Sequence, residues 1–540
     1  MFSDRGAAQP WRAAISALLN SGLLGPPTPA QATRIVRGLW RFGPTPASLL
    51  ATSAARYPAR IAVIDDAGTI TYAELQARAE AIAAGLHAVA HEPRSVGILC
   101  RNHRGFIEAT AAAAQLGCEL IFVNTELPAA QLSAVLRRHG PDILIADDEY
   151  DDAIAASDFA GSHIHAWRDG QPATSCPSLD SLAAERHPRP PRVRSSVGVT
   201  LLTSGTTGLA KGVPRSVNLR SILEMGASAM GITRLRSGDT IWVGPPFFHG
   251  FGLVAMFGGI SLGATVVCRR RFQVQQMLDD IRTHRADALI AVPVMLQRLL
   301  RVPLEQRQDM SSLRVVMTGA SPISPATISE FTTAFGPILI NGYGSTEAGI
   351  VSIATPADLI EAPGTLGRPA IGVSARVLRP DHTDAAVGEI GSIFIRSGFV
   401  YSGYSPDPQT AVPAKIVVHD HVDTGDKGHF DRHGRLYIDG RSDDMIVSGG
   451  ENVFPGEVEN ALAAHPAFTD VVVIGMPDPE YGQILKAFLV LHENTPQPSV
   501  EDLKTHVRQR LERYKVPKEF EFVAEIPRNA SGKILRNQLR

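Results

Sequence analysis

The chain has 540 residues, 44% of them hydrophobic and 20% charged, and its formal net charge is −2. Such a length exceeds the capacity of one hydrophobic core and predicts at least two domains. The near-neutral net charge gives no reason to expect nucleic acid or an anionic membrane surface as partner. The four cysteines show no metal-ligand spacing, so the sequence predicts neither a disulfide framework nor a zinc site. Three of them lie in or beside apolar runs, which is typical of buried thiols in a reducing compartment: Cys100, Cys118 and Cys268.

Residues 1–45 are interpreted as an N-terminal extension. Arginines precede the apolar run Ala13–Leu19, and Ala30-Gln31-Ala32 imitates a cleavage site, as in a signal peptide. Asn20 and Ser21 interrupt the apolar stretch, however, which disfavours export. Two other interpretations stay open, a surface-lying amphipathic segment that helps to collect lipid and a plain packing extension.

The next elements have local signals. Ile61–Asp65 and Thr69–Thr71 flank Asp66-Ala67-Gly68, which indicates a β-hairpin. Thr71 and Glu74 form a capping box for a helix running to about Ala90. Farther on, short apolar runs alternate with helical patterns, which is typical of layered α/β structure with largely parallel strands. These runs are Val96–Cys100, Leu120–Val123 and Ile143–Ala146.

Residues 241–268 contain no Asp, Glu, Lys or Arg, a stretch long enough to raise the question of a membrane span. Six glycines, two prolines and His249 argue against one continuous helix. We therefore expect a buried strand–loop–helix passage and no transmembrane segment.

The last third changes character. From Val387 to Gly440, alternating apolar residues and turn signals such as Arg432-His433-Gly434 predict the hairpins of a small β-barrel. After Arg441 a smaller α+β unit is expected. Its predicted elements are a helix from Pro455 to Ala464, a strand Val471–Ile474, and a helix capped by Ser499 and Asp502 that runs to about Tyr514.

The most informative stretch follows the β-branched run Val197–Leu202. It holds three glycines, four hydroxyls and one lysine in ten residues: Thr203-Ser204-Gly205-Thr206-Thr207-Gly208-Leu209-Ala210-Lys211-Gly212. Glycines let backbone N–H groups approach an anion, and hydroxyls and lysine add donors and charge. The pattern predicts a polyphosphate loop, although it lacks the Gly-Lys-Ser/Thr order of the common P-loop.

This loop resembles the signature of the adenylate-forming superfamily, which includes acyl-CoA synthetases, luciferases and nonribosomal adenylation domains. Ala210 stands where that signature usually has proline. Other family-like motifs follow in order from about residue 45 to the C-terminus. They are Pro246–Gly250, Thr318–Ser321, Asn341–Glu347, Thr424–Asp426, Gly440–Asp444, Ser448–Asn452 and Pro527–Lys533. Overall the chain looks most like bacterial, particularly actinobacterial, fatty acid–CoA ligases.

The resemblance implies an α/β fold in which a large N-terminal domain of layered α/β subdomains carries a small β-barrel. A small mobile α+β C-terminal domain follows. The expected boundaries are an extension over 1–45, the large AMP-binding domain over 46–440 and the mobile domain over 441–540.

The resemblance also implies ATP, Mg²⁺ and coenzyme A as cofactors. Thr206, Thr207 and Lys211 would contact the β- and γ-phosphates. Glu347 would bind Mg²⁺, with Thr346 beside the α-phosphate. The remaining loop residues of the cradle are Thr203, Ser204, Gly205 and Gly208.

Other family positions imply further roles. The adenine would lie against Gly319, Ala320, Ser321, Gly342, Tyr343 and Gly344, with Ser345 in the same motif. Asp426 would bind the ribose hydroxyls, Arg441 the ribose or phosphate, and Lys533 the charge developing at the α-phosphate. Asp443 would be the pivot of the mobile domain, Gly449 and Gly450 would admit the pantetheine arm, and His249 would line the acyl entrance.

The expected reaction is ATP-dependent activation of a medium- or long-chain fatty acid to acyl-AMP and then acyl-CoA. The segment Phe251–Val267 is apolar, rich in small residues and free of charged residues. Such a segment favours an alkyl chain as the acyl group of the substrate. Three alternatives remain: a fatty acid–AMP ligase that loads a carrier protein, an aryl-acid CoA ligase, and a catalytically silent scaffold with the same fold. The expected location is the cytoplasm, with peripheral contact at the inner face of the membrane left open.

Overall fold

The computed structural model describes most of the chain. The described residues are 15–16, 18–22, 25–90, 92–170, 176–190, 197–203, 211–215, 219–307, 309–345, 349–398, 415–441, 444–448, 451–479, 481–529 and 532–539. They form two compact units. The first contains the chain up to Ala291 together with Arg307–Val316, and the second contains Val292–Gln306, Met317–Ser397 and the chain from Lys415 onward.

The first unit contains a six-stranded sheet. Its first five strands are parallel and the last is antiparallel. In spatial order they are Ser162–Trp167, Ile143–Asp147, Ser95–Leu99, Glu119–Phe122, Val199–Thr203 and Lys211–Arg215. The short apolar runs of the sequence are thus strands of one parallel layer, and burial on both faces accounts for their continuous apolar character.

A second group of strands in this unit is also largely parallel. The strand Ile61–Asp65 pairs with Thr265–Val267. Thr265–Val267 pairs on its other side with Thr240–Val243, and Thr240–Val243 pairs in turn with Ala288–Ile290. Gly68–Thr71 folds back on Ile61–Asp65 as the predicted hairpin. The predicted capping box at Thr71 begins the helix Tyr72–Val89.

Helices cover these strands. The apolar passage 241–268 is a strand, a loop, a helix and a strand, as expected, and among the described residues no helix is both long and apolar enough to cross a bilayer. The helices of the first unit are Pro29–Phe42, Pro46–Arg56, Tyr72–Val89, Arg104–Gln115, Ala129–His139, Asp151–Ala155, Leu179–Ala184, Leu219–Thr233, Gly250–Leu262 and Val274–His284, with a 3₁₀ turn Asp148–Tyr150.

In the second unit, Leu339–Ser345 pairs antiparallel with Gly349–Ala354, which pairs with Arg368–Pro369. The strand Val315–Gly319 enters this unit from the first. A five-stranded antiparallel sheet forms the predicted β-rich region, with the strands Ser374–Leu378, Gly391–Arg396, His421–Phe430, Val417–Val418 and Leu436–Arg441. The predicted turn at Gly434 connects the long strand to the last one.

The C-terminal sheet has strands Glu451–Val453, Ile446–Ser448, Gly482–Leu491, Phe468–Asp478 and Glu519–Phe522. The helices of the second unit are Pro293–Leu300, Pro325–Phe335, Pro356–Glu361, Pro455–Ala463 and Val500–Arg508, with 3₁₀ turns Leu304–Gln306, Arg513–Lys515 and Arg536–Gln538. Apolar side chains of Pro455–Ala463 and Val500–Arg508 pack on this sheet in one core.

One predicted boundary was wrong. The helix capped by Ser499 ends at Arg508 and does not reach Tyr514. A 3₁₀ turn follows, and within it the Lys515 ammonium lies 2.6 Å from Glu457 and 2.9 Å from Glu512. These contacts hold the 3₁₀ turn against the neighbouring helix. This tertiary constraint overrides a local pattern that would otherwise continue the helix.

Candidate functional site

Two glycine positions in the second unit require close backbone approach. A Cβ atom on Gly319 would lie 2.5 Å from the Gly342 carbonyl oxygen, and one on Gly344 would lie 2.3 Å from the Gly349 carbonyl oxygen. Ala320 has a left-handed backbone (φ 67°), which turns the chain just after the strand. The small residues leave a surface of little side-chain bulk, and this fits the flat adenine ring expected there.

A buried carboxylate lies on the neighbouring barrel sheet. Asp426 is 7% exposed and is paired in register with Arg441 on the adjacent strand. The Tyr343 hydroxyl donates to Asp426 Oδ2, and Arg441 Nη1 lies 3.2 Å from Asp426 Oδ1. The Asp426 backbone N–H donates to the Thr424 hydroxyl, which itself donates to the Ile393 carbonyl oxygen. The carboxylate is therefore held at several points.

The electrostatics of this cluster keep the Tyr343 phenol protonated. Burial, and then the adjacent Asp426 charge, raises the pKa of Tyr343 well above its ordinary value, so the phenol remains a proton donor. An ionised carboxylate offers about four lone-pair positions, and Tyr343 and Arg441 use one on each oxygen. A carboxylate of this kind can also accept hydrogen bonds from the hydroxyls of a ribose.

Hydrogen bonds join Lys533 to Asn529. The Asn529 side chain accepts from the Lys533 N–H at 2.8 Å, and the Asn529 N–H donates to the Lys533 carbonyl oxygen at 2.9 Å. Gly532 has φ 78°, a conformation that glycine adopts at little cost. Arg528 donates to the Gly532 carbonyl oxygen and to both oxygens of Asp470. The Lys533 side chain itself is exposed.

The same turn lies against the glycine-bearing strand. The Ser321 hydroxyl donates to the Gly532 carbonyl oxygen at 3.2 Å, and a Cβ atom on Gly532 would lie 3.3 Å from Val292 and 3.4 Å from Val294. The second unit thus brings Lys533, near the end of the chain, beside the Gly319–Ser321 turn, although Gly532 and Ser321 are 211 positions apart. This juxtaposition places a cationic side chain beside the surface expected to bind the adenine nucleotide.

In the first unit, His249 is the N-terminal cap of the helix Gly250–Leu262. Its partly exposed ring lies 5.6 Å from that of Phe248, between centroids. One side of the helix presents partly exposed apolar positions three and four residues apart: Phe251, Val254, Ala255 and Gly258. We call these four residues the apolar helix face. A Cβ atom on Gly258 would meet nothing within 4 Å.

The phosphate loop is described only at its two ends. Thr203 and Lys211 are paired in register on antiparallel strands. For Thr203, Lys211 and Ser345 the structure describes the strand but not the side chain. The other expected positions, including the expected magnesium ligand, lie outside the described residues: Ser204, Gly205, Thr206, Thr207, Gly208, Thr346, Glu347, Asp443, Gly449 and Gly450.

Sequence reasoning missed two supporting contacts. It assigned Tyr343 to the adenine but did not foresee its hydroxyl on Asp426, 83 residues away. It included Arg528 in a motif but had no partner for it, whereas the structure pairs it with Asp470. A buried-strand aspartate and a loop arginine carry no local signal of their partners, because each pair forms by tertiary packing of segments far apart in the sequence.

Comparison with known proteins identifies two matching families. The family model of the AMP-binding enzymes matches residues 50–405, and that of the AMP-binding enzyme C-terminal domain matches residues 457–533.

Several characterised proteins are similar over nearly the whole chain. A fatty acid–[acyl-carrier-protein] ligase of Streptomyces coeruleorubidus is 32% identical, covering 89% of this chain and 93% of the relative. The 2-succinylbenzoate–CoA ligase of Bacillus subtilis is 31% identical, covering 89% and 95%. The solved structure of o-succinylbenzoate CoA synthetase from Bacillus subtilis with its acyl-adenylate intermediate superposes with a TM-score of 0.78 at 29% identity, covering 91% of this chain and 97% of that one.

Proposed function

This chain belongs to the AMP-binding enzymes, and from that premise we propose that it activates a medium- or long-chain fatty acid and transfers the acyl group to coenzyme A. The coarser activity follows from membership: an AMP-forming acid–thiol ligase that uses ATP, Mg²⁺ and CoA. The relatives act on both fatty and aryl acids, and one delivers to a carrier protein. What we propose beyond family membership is therefore that the acid is a fatty acid and that the acceptor is coenzyme A.

Adenylate formation requires stabilisation of the negative charge that develops at the α-phosphorus. A carboxylate is a poor acyl donor, and linkage to AMP with release of pyrophosphate gives it a good leaving group. In-line displacement at phosphorus depends mainly on positioning and on cations near the developing charge. We assign the cation to Lys533 and the positioning of the ribose to Asp426, with Arg441 neutralising that carboxylate and contacting the ribose or phosphate. Mg²⁺, when bound, supplies further charge at the phosphates.

We extend the proposal to positions whose side chains the structure does not describe. Thr206, Thr207 and Lys211 would bind the β- and γ-phosphates and Glu347 would hold Mg²⁺ beside Thr346. Asp443 would be the pivot of a mobile domain over 441–540, which swings away from the large domain over 46–440 between the two half-reactions. Gly449 and Gly450 would then admit the pantetheine arm.

The apolar helix face carries the choice of substrate. Phe251, Val254, Ala255 and Gly258 are partly exposed on one side of a helix that begins at His249. The helix contains no charged residue to hold a polar acid, and the open space at Gly258 leaves room for methylene groups. Each buried CH₂ contributes about 0.8 kcal/mol, so such a face favours an alkyl chain over acetate.

A substrate panel tests this choice. Octanoate and palmitate should give CoA thioester at a much higher kcat/KM than acetate, benzoate or coumarate. Gly258→Leu should lower kcat/KM for palmitate by about ten- to a hundredfold, since the new side chain occupies the space of a few methylene groups, while octanoate suffers less. Ser261→Ala, on an exposed position of the same helix, is the matched control.

Each alternative has its own outcome in that panel. An aryl acid as the best substrate would replace the fatty acid. Free acyl-adenylate that accumulates with CoA, and turns to thioester only with a phosphopantetheine-bearing carrier protein, would favour the carrier-protein ligase. ATP–pyrophosphate exchange at background with every acid would identify a silent scaffold.

We also propose that the helix Pro29–Phe42 rests on an anionic lipid surface from which substrate is drawn. A Cβ atom on Gly38 would lie 3.3 Å from the Ala51 side chain, so that side of the helix faces its neighbour Pro46–Arg56. Val36 and Trp40 are each 65% exposed and Leu39 49%. The helix has three arginines and no acidic residue: Arg34, Arg37 and Arg41. Exposed apolar and cationic groups on one helix are typical of interfacial binding.

Cosedimentation with vesicles tests the contact. Binding to vesicles rich in phosphatidylserine should weaken about tenfold or more in the double variant Val36→Ser/Trp40→Ser, because the buried apolar area is lost. Leu304→Ser removes a side chain of similar exposure (66%) in the other unit and should leave binding unchanged. Equal sedimentation of all three proteins, or none of the wild type, would refute the contact.

A further inference from the structure

A cluster of metal-ligating side chains lies in the first unit at the far edge of the six-stranded sheet from the phosphate hairpin. His163 and His165 are two residues apart on the edge strand Ser162–Trp167, so their side chains lie on the same face of the sheet. Their ring centroids are 5.0 Å apart. The ligand atoms of His163, His165 and Cys176 all lie within 4.8 Å of one another.

The backbone explains how Cys176 reaches the histidines. Residues 176–178 run beside the edge strand. The His165 N–H donates to the Pro177 carbonyl oxygen at 2.9 Å, and His165 forms an isolated parallel β-bridge with Ser178. Cys176 Sγ consequently lies 3.2 Å from the His163 carbonyl oxygen. The thiol is free and partly exposed.

A carboxylate completes the set. Asp151 begins the short helix after the neighbouring strand, and its Oδ1 lies 2.9 Å from His165 Nε2 and 3.8 Å from His163 Nε2. The His163 Nε2 atom is buried and has no hydrogen-bond partner among the described residues. An unsatisfied buried nitrogen costs free energy unless a further group binds it. A carboxylate oxygen, Asp151 Oδ1, lies 3.8 Å from that nitrogen and also contacts His165 Nε2.

We propose that His163, His165, Cys176 and Asp151 bind one divalent transition metal ion, with Zn²⁺ the best match. Two imidazole nitrogens, one thiolate and one carboxylate oxygen form a four-ligand set of the kind that zinc accepts in tetrahedral geometry. The ion would fasten the segment around Cys176 and the helix at Asp151 to the sheet edge. Cysteine spacing alone predicted no zinc site, because the ligands come from three separate segments.

A second cluster does not qualify. Cys100, His103 and Asp147 are also close together but fully buried. The Gly105 N–H donates to His103 Nδ1, and His103 Nε2 pairs with Asp147 at 2.8 Å. Both ring nitrogens are therefore engaged, one of them by the backbone of a helix start. Unlike the Arg168 side chain at His165, the backbone N–H at His103 Nδ1 cannot move away without disrupting the helix start, and all three side chains are fully buried. We therefore interpret this cluster as a helix cap.

Metal binding has a defined proton balance. Arg168 Nε donates to His165 Nδ1 at 3.1 Å, so the proton of neutral His165 lies on Nε2, facing Asp151. Coordination through Nε2 moves that proton to Nδ1 and breaks the Arg168 contact, while Arg168 keeps its bond to the Cys176 carbonyl oxygen at 2.6 Å. The Cys176 thiol loses its proton to solvent. About one proton per metal is therefore released.

Titration of the full chain with Co²⁺, as a spectroscopic substitute for Zn²⁺, tests the site. We expect one ion per chain, with visible bands of tetrahedral cobalt and a sulfur-to-cobalt band in the near ultraviolet. Cys176→Ser should lose the sulfur band, and His163→Gln should weaken binding at least tenfold. Calorimetry with Zn²⁺ in two buffers should report about one proton released. Arg168→Gln should bind more tightly, because the competing contact is gone.

Matched variants keep the result interpretable. Cys100→Ser removes a thiol of the second cluster and His433→Gln an exposed histidine, and neither should alter binding. A chelator should lower the Tm of wild type by a few degrees but not that of Cys176→Ser, since an ion that binds only the folded state stabilises it. Unchanged stoichiometry and affinity in His163→Gln, or a sulfur band that depends on Cys100, would overturn the proposal. None of these measurements depends on ligase activity.

Discussion

Replacement of Lys533 by alanine should abolish adenylate formation while thioester formation from supplied acyl-AMP stays largely intact. The Lys533 turn lies against Ser321, beside the surface expected to hold adenine, and its amine is the cation we assign to the α-phosphate. Removal of one preorganised electrostatic group commonly costs about 10²–10³ in rate. ATP–pyrophosphate exchange measures the first half-reaction, and CoA added to synthetic acyl-adenylate measures the second.

The two assays must give different results for the assignment to hold. Lys504→Ala, on the helix Val500–Arg508 of the same C-terminal region, should leave both rates unchanged. Lys533→Arg should recover part of the exchange rate, because it keeps the charge but not the shape. Equal loss of both half-reactions in Lys533→Ala would mean that the residue supports the fold or the thiol step, and the assigned role would be withdrawn.

Asp426→Asn should lower kcat/KM for ATP by about a hundredfold or more. Hydrogen bonds to a charged acceptor are worth about 1.5–3 kcal/mol each, and the carboxylate is proposed to accept two from the ribose. Asparagine keeps the volume and one acceptor for Tyr343, so a large change in fold stability is not expected. Steady-state kinetics with ATP and with 2′-deoxy-ATP measure the effect.

The nucleotide comparison isolates the ribose contact. Wild type should discriminate strongly against 2′-deoxy-ATP, and Asp426→Asn should lose most of that discrimination. Tyr343→Phe removes the hydroxyl that holds Asp426 but leaves the carboxylate, and should have a much smaller effect. Discrimination that survives intact in Asp426→Asn would show that the carboxylate orders the cluster without touching the sugar.

Local signals in the sequence were reliable where one segment determines its own structure. The hairpin around Gly68 and the capping box at Thr71 were confirmed, because turn chemistry and a cap act within a few residues. The helix predicted to run to Tyr514 failed for the opposite reason. Its end depends on Glu457, 58 residues from Lys515, and no local pattern reports such a partner.

The candidate site divides in the same way. Motifs named Asp426, Arg441 and Lys533 as individual residues, since glycine turns and charged positions are visible in the sequence. Their arrangement was not visible, because it depends on sheet register and on the contact between Ser321 and Gly532. The proposed zinc ligands illustrate the limit further, for two histidines on an edge strand become a cluster only when a loop cysteine is laid beside them.

In the domain movement that we propose between the half-reactions, the anchoring of the Lys533 turn determines which contact breaks. Arg528 binds Asp470 through two short contacts in a largely buried ion pair, so detaching the turn from its own sheet would cost several kcal/mol. Among the described residues, the hydrogen bond from Ser321 to this turn is a neutral one, worth about 1 kcal/mol, and Val292 and Val294 lie near Gly532. The Lys533 turn should therefore separate from Ser321 and stay attached to the C-terminal sheet. The Lys533 amine should then move together with that sheet as one rigid body.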